Sequence, residues 1–227
     1  MPVTIVGNNT PTAGGVVYGD GTNYASTAAG TSGQVLTSNG SSAPSWVSVS
    51  SGALTLISTQ TASNSASISW TGLSTYRSYI LQISNFVPQT GADSLYLTLG
   101  TGGTPTYIAS GYYSSSIYNA ANSSLPDGSN GNNTAQIDLT TGNTVSNTAG
   151  LGGWSGTIYL INMLASPAAD TRVTFSGVFV PSTIAGTRQF SGGGTVYNNT
   201  TAKTAVKLNF SSDNIASGSA SLYGIAP

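Results

Sequence analysis

The sequence predicts an all-β protein: an antiparallel, jelly-roll-like β-sandwich head over residues 51–227, preceded by an extended glycine-rich arm over residues 1–50. Three observations carry that expectation. From residue 53 onward, apolar and polar side chains alternate with a period of two, the pattern of strands with one buried face. No segment shows the 3.6-residue apolar spacing of a helix. Turn sequences rich in Gly, Asn and Pro separate the alternating runs at intervals that suit a sandwich.

The runs follow in order. Residues 53–60 place Leu54 and Leu56 on one face, and residues 65–70 set Ile68 and Trp70 against Ser67 and Ser69. Residues 76–84 are the clearest strand, with Tyr79, Leu81 and Ile83 facing one way and Gln82 and Ser84 the other. Residues 94–100 repeat the pattern with Leu95, Leu97 and Leu99. Thr71-Gly72 and Thr90-Gly91 mark turns between them. Residues 101–133 break the rhythm. Tyr107, Tyr112, Tyr113 and Tyr118 lie among Ser, Gly and Asn, and the stretch ends in the turn-like cluster 126–131. This reads as a long excursion holding one broken strand over 112–119. Strands resume at 135–140, 154–163, 172–180, 187–190, 195–197, 205–210 and 219–225.

The arm is of a different character. Residues 1–30 hold two short β-like runs, Val3 to Val6 and Val16, Val17, Tyr18, among Gly and Pro. Neither can bury itself, because an isolated hairpin is marginal in water. Thirty extended residues reach roughly 100 Å, so a neighbouring subunit or a larger assembly is the expected holder. Residues 31–47 form a junction. Val35 and Leu36 are an apolar handle, Asn39-Gly40 signals a tight turn, Pro44 donates no hydrogen bond, and Trp46 is a large apolar surface with one N–H. Two readings fit it: a small hairpin packed on the following domain, or a contact in which Val35, Leu36 and Trp46 meet their copies near an oligomer axis.

Composition narrows the functions. Net charge is −1, and charged residues make up 5% of the 227, against about 25% in ordinary globular proteins. Five scattered basic residues do not make a nucleic-acid surface. There is no Cys and no His, and all six acids are Asp. Disulfides, thiolate chemistry and a serine triad with a His base are therefore excluded, as are zinc or iron sites built on His and Cys. Paired carboxylates for glycoside cleavage would have to come from the six Asp, most of which sit where turns favour them. Asp138, mid-strand, is the exception. Calcium could use Asp127 and Asn130 with carbonyls, but the cluster lacks the spacing of an EF-hand loop. No cofactor is expected. The N-terminus shows no signal-peptide pattern and no run reaches the roughly 18 apolar residues of a membrane span.

The tyrosines Tyr107, Tyr112, Tyr113 and Tyr118 are the binding candidates, since Tyr rings stack on the flat faces of sugars. They serve equally well as packing for the sheet or for a subunit boundary. Self-association is expected on separate grounds. Edge strands are normally protected by charge, and this chain has almost none to place there.

The stretch Gly33-Gln34-Val35-Leu36, Asn39-Gly40, Pro44 and Trp46 resembles a segment near the start of bacteriophage tail-fibre and virion-surface proteins. Residues 56–63, 68–73 and 79–88, and the ending Ser219-Ala220-Ser221-Leu222-Tyr223-Gly224-Ile225, are similar to a β-rich head of the same proteins; the middle of the chain is not covered. The resemblance implies a non-enzymatic virion structural protein, typically a homotrimer, made in the host cytoplasm. Its arm (Val16, Val17, Tyr18, Val35, Leu36, Trp46) would contact copies of itself and the major capsid protein or another virion component. A short tail fibre that binds a host-surface glycan, or a free carbohydrate-binding module, is the alternative.

Overall fold

The computed structural model describes residues 12–49, 53–120, 127–148, 151–164, 170–182, 186–197 and 199–226. The run from Val3 to Val6 lies outside them. Every pairing between described strands is antiparallel, and no helix occurs among the described residues. The chain divides into two compact units, Met1–Ser51 and Gly52–Pro227.

The first unit holds two hairpins. Strand β1 (Val17–Gly19) pairs with β2 (Tyr24–Ser26), and β3 (Gln34–Asn39) with β4 (Ser42–Ser48). Asp20 shapes the first turn by accepting the N–H groups of Thr22 and Asn23 at 2.8 and 2.6 Å. In the second turn Asn39 pairs with Ser42, and Gly40, the first of the two residues between them, takes a φ of 69°. In place of one extended arm, residues 12–49 fold back twice.

The second unit contains β5 (Leu54–Ser65), β6 (Ile68–Trp70), β7 (Ser78–Pro88), β8 (Leu95–Thr101), β9 (Thr106–Tyr107), β10 (Tyr112–Ala120) and β11 (Asp127–Thr134). It continues with β12 (Ile137–Asp138), β13 (Trp154–Ile161), β14 (Arg172–Phe179), β15 (Arg188–Val196), β16 (Ala205–Phe210) and β17 (Ile215–Ile225). One sheet has eight strands in the order β11-β10-β15-β14-β13-β7-β17-β5. The other has the order β12-β8-β16-β6, with β9 added to β8. Side chains from both sheets form a single apolar cluster. Its largest fully buried members are Trp154, Tyr79, Tyr112, Phe86 and Phe190. Trp154 lies on the bare backbones of Gly156 and Gly177, where a Cβ would stand 2.8 and 2.5 Å from its ring, and its Nε1 donates to the Leu139 carbonyl at 3.0 Å.

Three sequence expectations change on folding. First, Ser191 to Gly194 does not interrupt the chain, and residues 188–196 form one strand. A Cβ on Gly192 would fall 2.5 Å from the Ser116 Cβ and 2.8 Å from the Phe175 ring, so the glycines let neighbouring strands close on the core. Second, residues 127–134 are a strand paired with β10, not a turn cluster. Third, Leu54 and Leu56 do not face the core. A β-bulge at Ile57 shifts the register between Leu222↔Ser58 and Tyr223↔Leu56, which turns both leucines outward and Thr55 inward.

Charge contributes little to this fold, and its few anchors are local. Burial pushes the Asp93 carboxyl up. The Ser211 hydroxyl and the N–H groups of Ser212 and Ser94 more than offset this, and hold it below the usual carboxylate range. The Thr90 N–H, with those of Gly91 and Asn214, lowers Asp213 in the same way. Carboxyls depressed by folding stabilise the native state above their unfolded value of about 3.9, and that stability is lost as pH falls through the folded value. Burial raises the Tyr112 hydroxyl to about 12, so its contribution is complete below about pH 10 and is lost on the way to 12. With no His, Cys or Glu to titrate between these limits, the thermal midpoint should stay flat from about pH 5 to 9 and fall on either side. A melting series across pH tests this; a steep slope between pH 6 and 8 would contradict it.

Candidate functional site

The first unit is notable for what it leaves bare. None of its described apolar side chains is buried, and Thr27 is its one buried residue among those described. Val35 lies opposite Val47 and therefore shares one face of the hairpin, while Leu36 lies opposite Trp46 on the other. Trp46 is the unit's only anchor of size. It packs on Gly30, where a Cβ would come within 2.6 Å of the indole, and its Nε1 donates to the Ala28 carbonyl at 3.0 Å. Val17, Tyr24, Val35, Leu36, Val47 and Val49 stay exposed, and Val16 and Tyr18 are half-buried. The sequence-nominated residues Val16, Val17, Tyr18, Val35, Leu36 and Trp46 thus sit on two small hairpins that own no apolar core.

The four nominated tyrosines separate. Tyr112 is fully buried. Its hydroxyl accepts the Leu99 N–H at 2.7 Å and donates to the Leu99 carbonyl at 3.3 Å, which makes it a link between the two sheets rather than a ligand-facing ring. Tyr107 lies under the Lys207 ammonium, 4.5 Å from the ring centroid. Tyr118 packs on Phe190 at 5.5 Å and carries the Arg188 guanidinium 4.4 Å above its ring. Only Tyr113 presents its ring outward, 38% exposed, and it pairs with Tyr197, 65% exposed, at a centroid separation of 5.3 Å. Tyr197 was not nominated from the sequence. The Gly-Gly-Gly before it reads as a break, which hides that β15, paired with β10 up to Val196, runs directly into it.

A second feature lies where β10 and β11 part from β8 and β12. A polar cleft of about 300 Å³ opens there, lined by Tyr96, Ser114, Ser129, Asn130, Gln136 and Asp138 among others. The Asp138 carboxylate already accepts the Thr140 N–H and hydroxyl at 2.7 and 2.6 Å and the Gly142 N–H at 2.8 Å. That explains a mid-strand acid which the sequence left without a role: the strand ends there, and the carboxylate shapes the turn that follows. Asn130 lines the cleft from β11. Among the described residues no three acidic side chains come together as metal ligands.

Arg188 is the residue least expected from the sequence. It is 5% exposed, and its Nε has no hydrogen-bond partner among the described residues. It rests on Tyr118, beside the stacked pair Phe179–Phe190 at 4.3 Å. No family model, no curated protein and no solved structure matches the chain.

Burying a charge is costly, and apolar replacements of similar volume are often neutral or stabilising. Arg188→Met should therefore unfold in urea within about 1 kcal/mol of the parent, or later than it. A loss above about 3 kcal/mol would show that the guanidinium has a strong partner.

Proposed function

We propose that the chain is a non-enzymatic structural protein of a bacteriophage virion: a homotrimeric decoration, or cement, protein of the capsid surface. Its first unit holds it to the shell and its second unit is a β-sandwich head of jelly-roll type. The observation that carries the reading is the first unit's lack of any buried apolar side chain among its described residues. Two hairpins with Val17, Tyr24, Val35, Leu36 and Val47 in water have little to hold them alone, and a subunit or shell that covers those side chains would supply the missing core. The sandwich reading is supported by the connections: β5 to β6, β6 to β7, β7 to β8, β11 to β12, β12 to β13, β15 to β16 and β16 to β17 all change sheet. The near absence of charge fits a particle surface that must tolerate changes of salt. The sequence resemblance supplies the virion setting.

A second reading, a short tail fibre or adhesin for host glycans, is favoured by the exposed Tyr113–Tyr197 pair, which could stack on a sugar.

Deleting residues 1–45 separates the two. The truncated chain should lose co-sedimentation with purified capsids of the encoding phage while its head keeps its melting temperature. Truncated protein that coats capsids as well as the full chain would defeat the decoration reading. Glycan binding by the isolated head that is lost in both Tyr113→Ala and Tyr197→Ala would favour the adhesin.

A further inference from the structure

The bulge in β5 has consequences that work against an isolated molecule. Were the period of two to continue back from Thr59, which lies opposite Ser221, Ile57 and Thr55 would face outward and Leu56 and Leu54 inward. That would be the ordinary arrangement of a half-buried strand. The bulge reverses it. Leu54 and Leu56 are 48% and 54% exposed, and the Thr55 Oγ1 is buried with no hydrogen-bond partner among the described residues. Each change is unfavourable in a monomer: the leucines forgo burial, and the hydroxyl leaves water without gaining a partner. Bulges re-aim side chains, and this one aims two leucines away from the core.

Those leucines end two apolar rows across the outer face of the eight-stranded sheet. Residues directly opposite in an antiparallel pair share a face. One row runs Leu56–Tyr223–Ile80–Tyr159 across β5, β17, β7 and β13. The next begins Leu54–Ile225, and Ile161 lies at its level on β13, two residues beyond Tyr159. Further along the sheet the outward positions carry no charge beyond Arg172: Thr157, Thr174, Ser176, Ser191, Gly193 and Ser115 are small, and Val178, Ile117 and Tyr113 expose more apolar surface. Arg172 is the one charged side chain on the outward positions of the seven strands from β5 to β10, where an ordinary soluble surface carries about 25–35%.

We propose that this face is where copies of the chain meet, with the Leu56–Tyr223–Ile80–Tyr159 row at the centre of the contact. The occupant follows from charge and area. A face with a single charge has nothing to repel an identical face, and nothing with which to select a charged partner. Eight strands at about 4.8 Å spacing and four outward rows about 7 Å apart give it roughly 1,000 Å², enough for the about 800 Å² per partner of a standard interface. Apolar side chains set among neutral polar ones, with charge depleted, are the usual anatomy of such a contact. Covering the face would also remove from water the leucines that the bulge turns out. The inference shares with the proposed function the premise of self-association but needs no capsid. A chain that stays monomeric yet binds particles overturns this inference and the trimer but leaves attachment to the particle standing, and one that associates through this face yet ignores particles overturns the particle-bound role alone.

The test is sedimentation of the purified full chain over a concentration series. The parent should form a multimer that dissociates on dilution. Leu56→Lys and Tyr159→Lys, at opposite ends of the row, should each raise the apparent dissociation constant at least tenfold with an unchanged β-sheet circular-dichroism spectrum. Thr104→Lys, in an exposed turn of the other sheet, should leave it unaltered. Should a lysine variant fail to fold, Leu56→Ser and Tyr159→Ser probe the same row. A chain that is monomeric at every concentration, or outer-face variants that associate like the parent, would overturn the proposal.

Discussion

Burial of apolar side chains from both sheets into one cluster is the interaction on which the second unit depends. Thirty-one hydrophobic residues are buried among the described residues, and all of them belong to the second unit. The charged groups there act as local fasteners: Asp93 and Asp213 gather turn N–H groups, and the Lys203 ammonium is taken up by the Asn199 and Thr201 carbonyls. Because burial is non-directional, order within the core must come from shape. The glycines under Trp154 and beside Phe175, and the Tyr112 hydroxyl bonded to the Leu99 backbone, provide it.

The same constraint defines what is unfinished. The eight-stranded sheet has an inner face completed by the other sheet and an outer face on which Leu54, Leu56 and Tyr159 are exposed. The described residues of the first unit form two hairpins and bury no apolar side chain. Both expose apolar side chains in a chain too poor in charge to keep such surfaces apart by repulsion. A soluble monomer ordinarily protects edges and faces with Lys and Glu; here neutral hydroxyls and amides take their place. The proposals of a particle-bound role and of a copy-to-copy face are two consequences of that one deficit.

Much of the architecture was legible because alternation survives wherever a strand has one wet face. Tyr79, Leu81 and Ile83, and Leu95, Leu97 and Leu99, face the core as their spacing requires. Legibility failed where a neighbour decides. The strand through Gly192 and Gly194 is set by Ser116, Phe175 and Ser114 pressing on it, contacts far away in sequence. The strand at Asp127–Thr134 exists because β10 offers it a partner, against the turn preference of Asp, Gly, Ser and Asn. The outward turn of Leu54 and Leu56 arises from a single unpaired residue, which no alternation pattern records. Among the site residues, a tyrosine looks alike in sequence whether it links two sheets, as Tyr112 does, or stands in water, as Tyr113 does; burial alone separates them.

The central claim is that surfaces bare in one chain are covered in the working assembly. Hydrogen exchange of the full chain, followed from dilute to concentrated solution, reads this directly. The amides of β3, β4 and β5 should gain protection as concentration rises, while those of β13 and β14, interior to the sheet, stay protected throughout. Protection that is the same at every concentration, with β3 and β4 as slow to exchange as the core strands, would contradict the account.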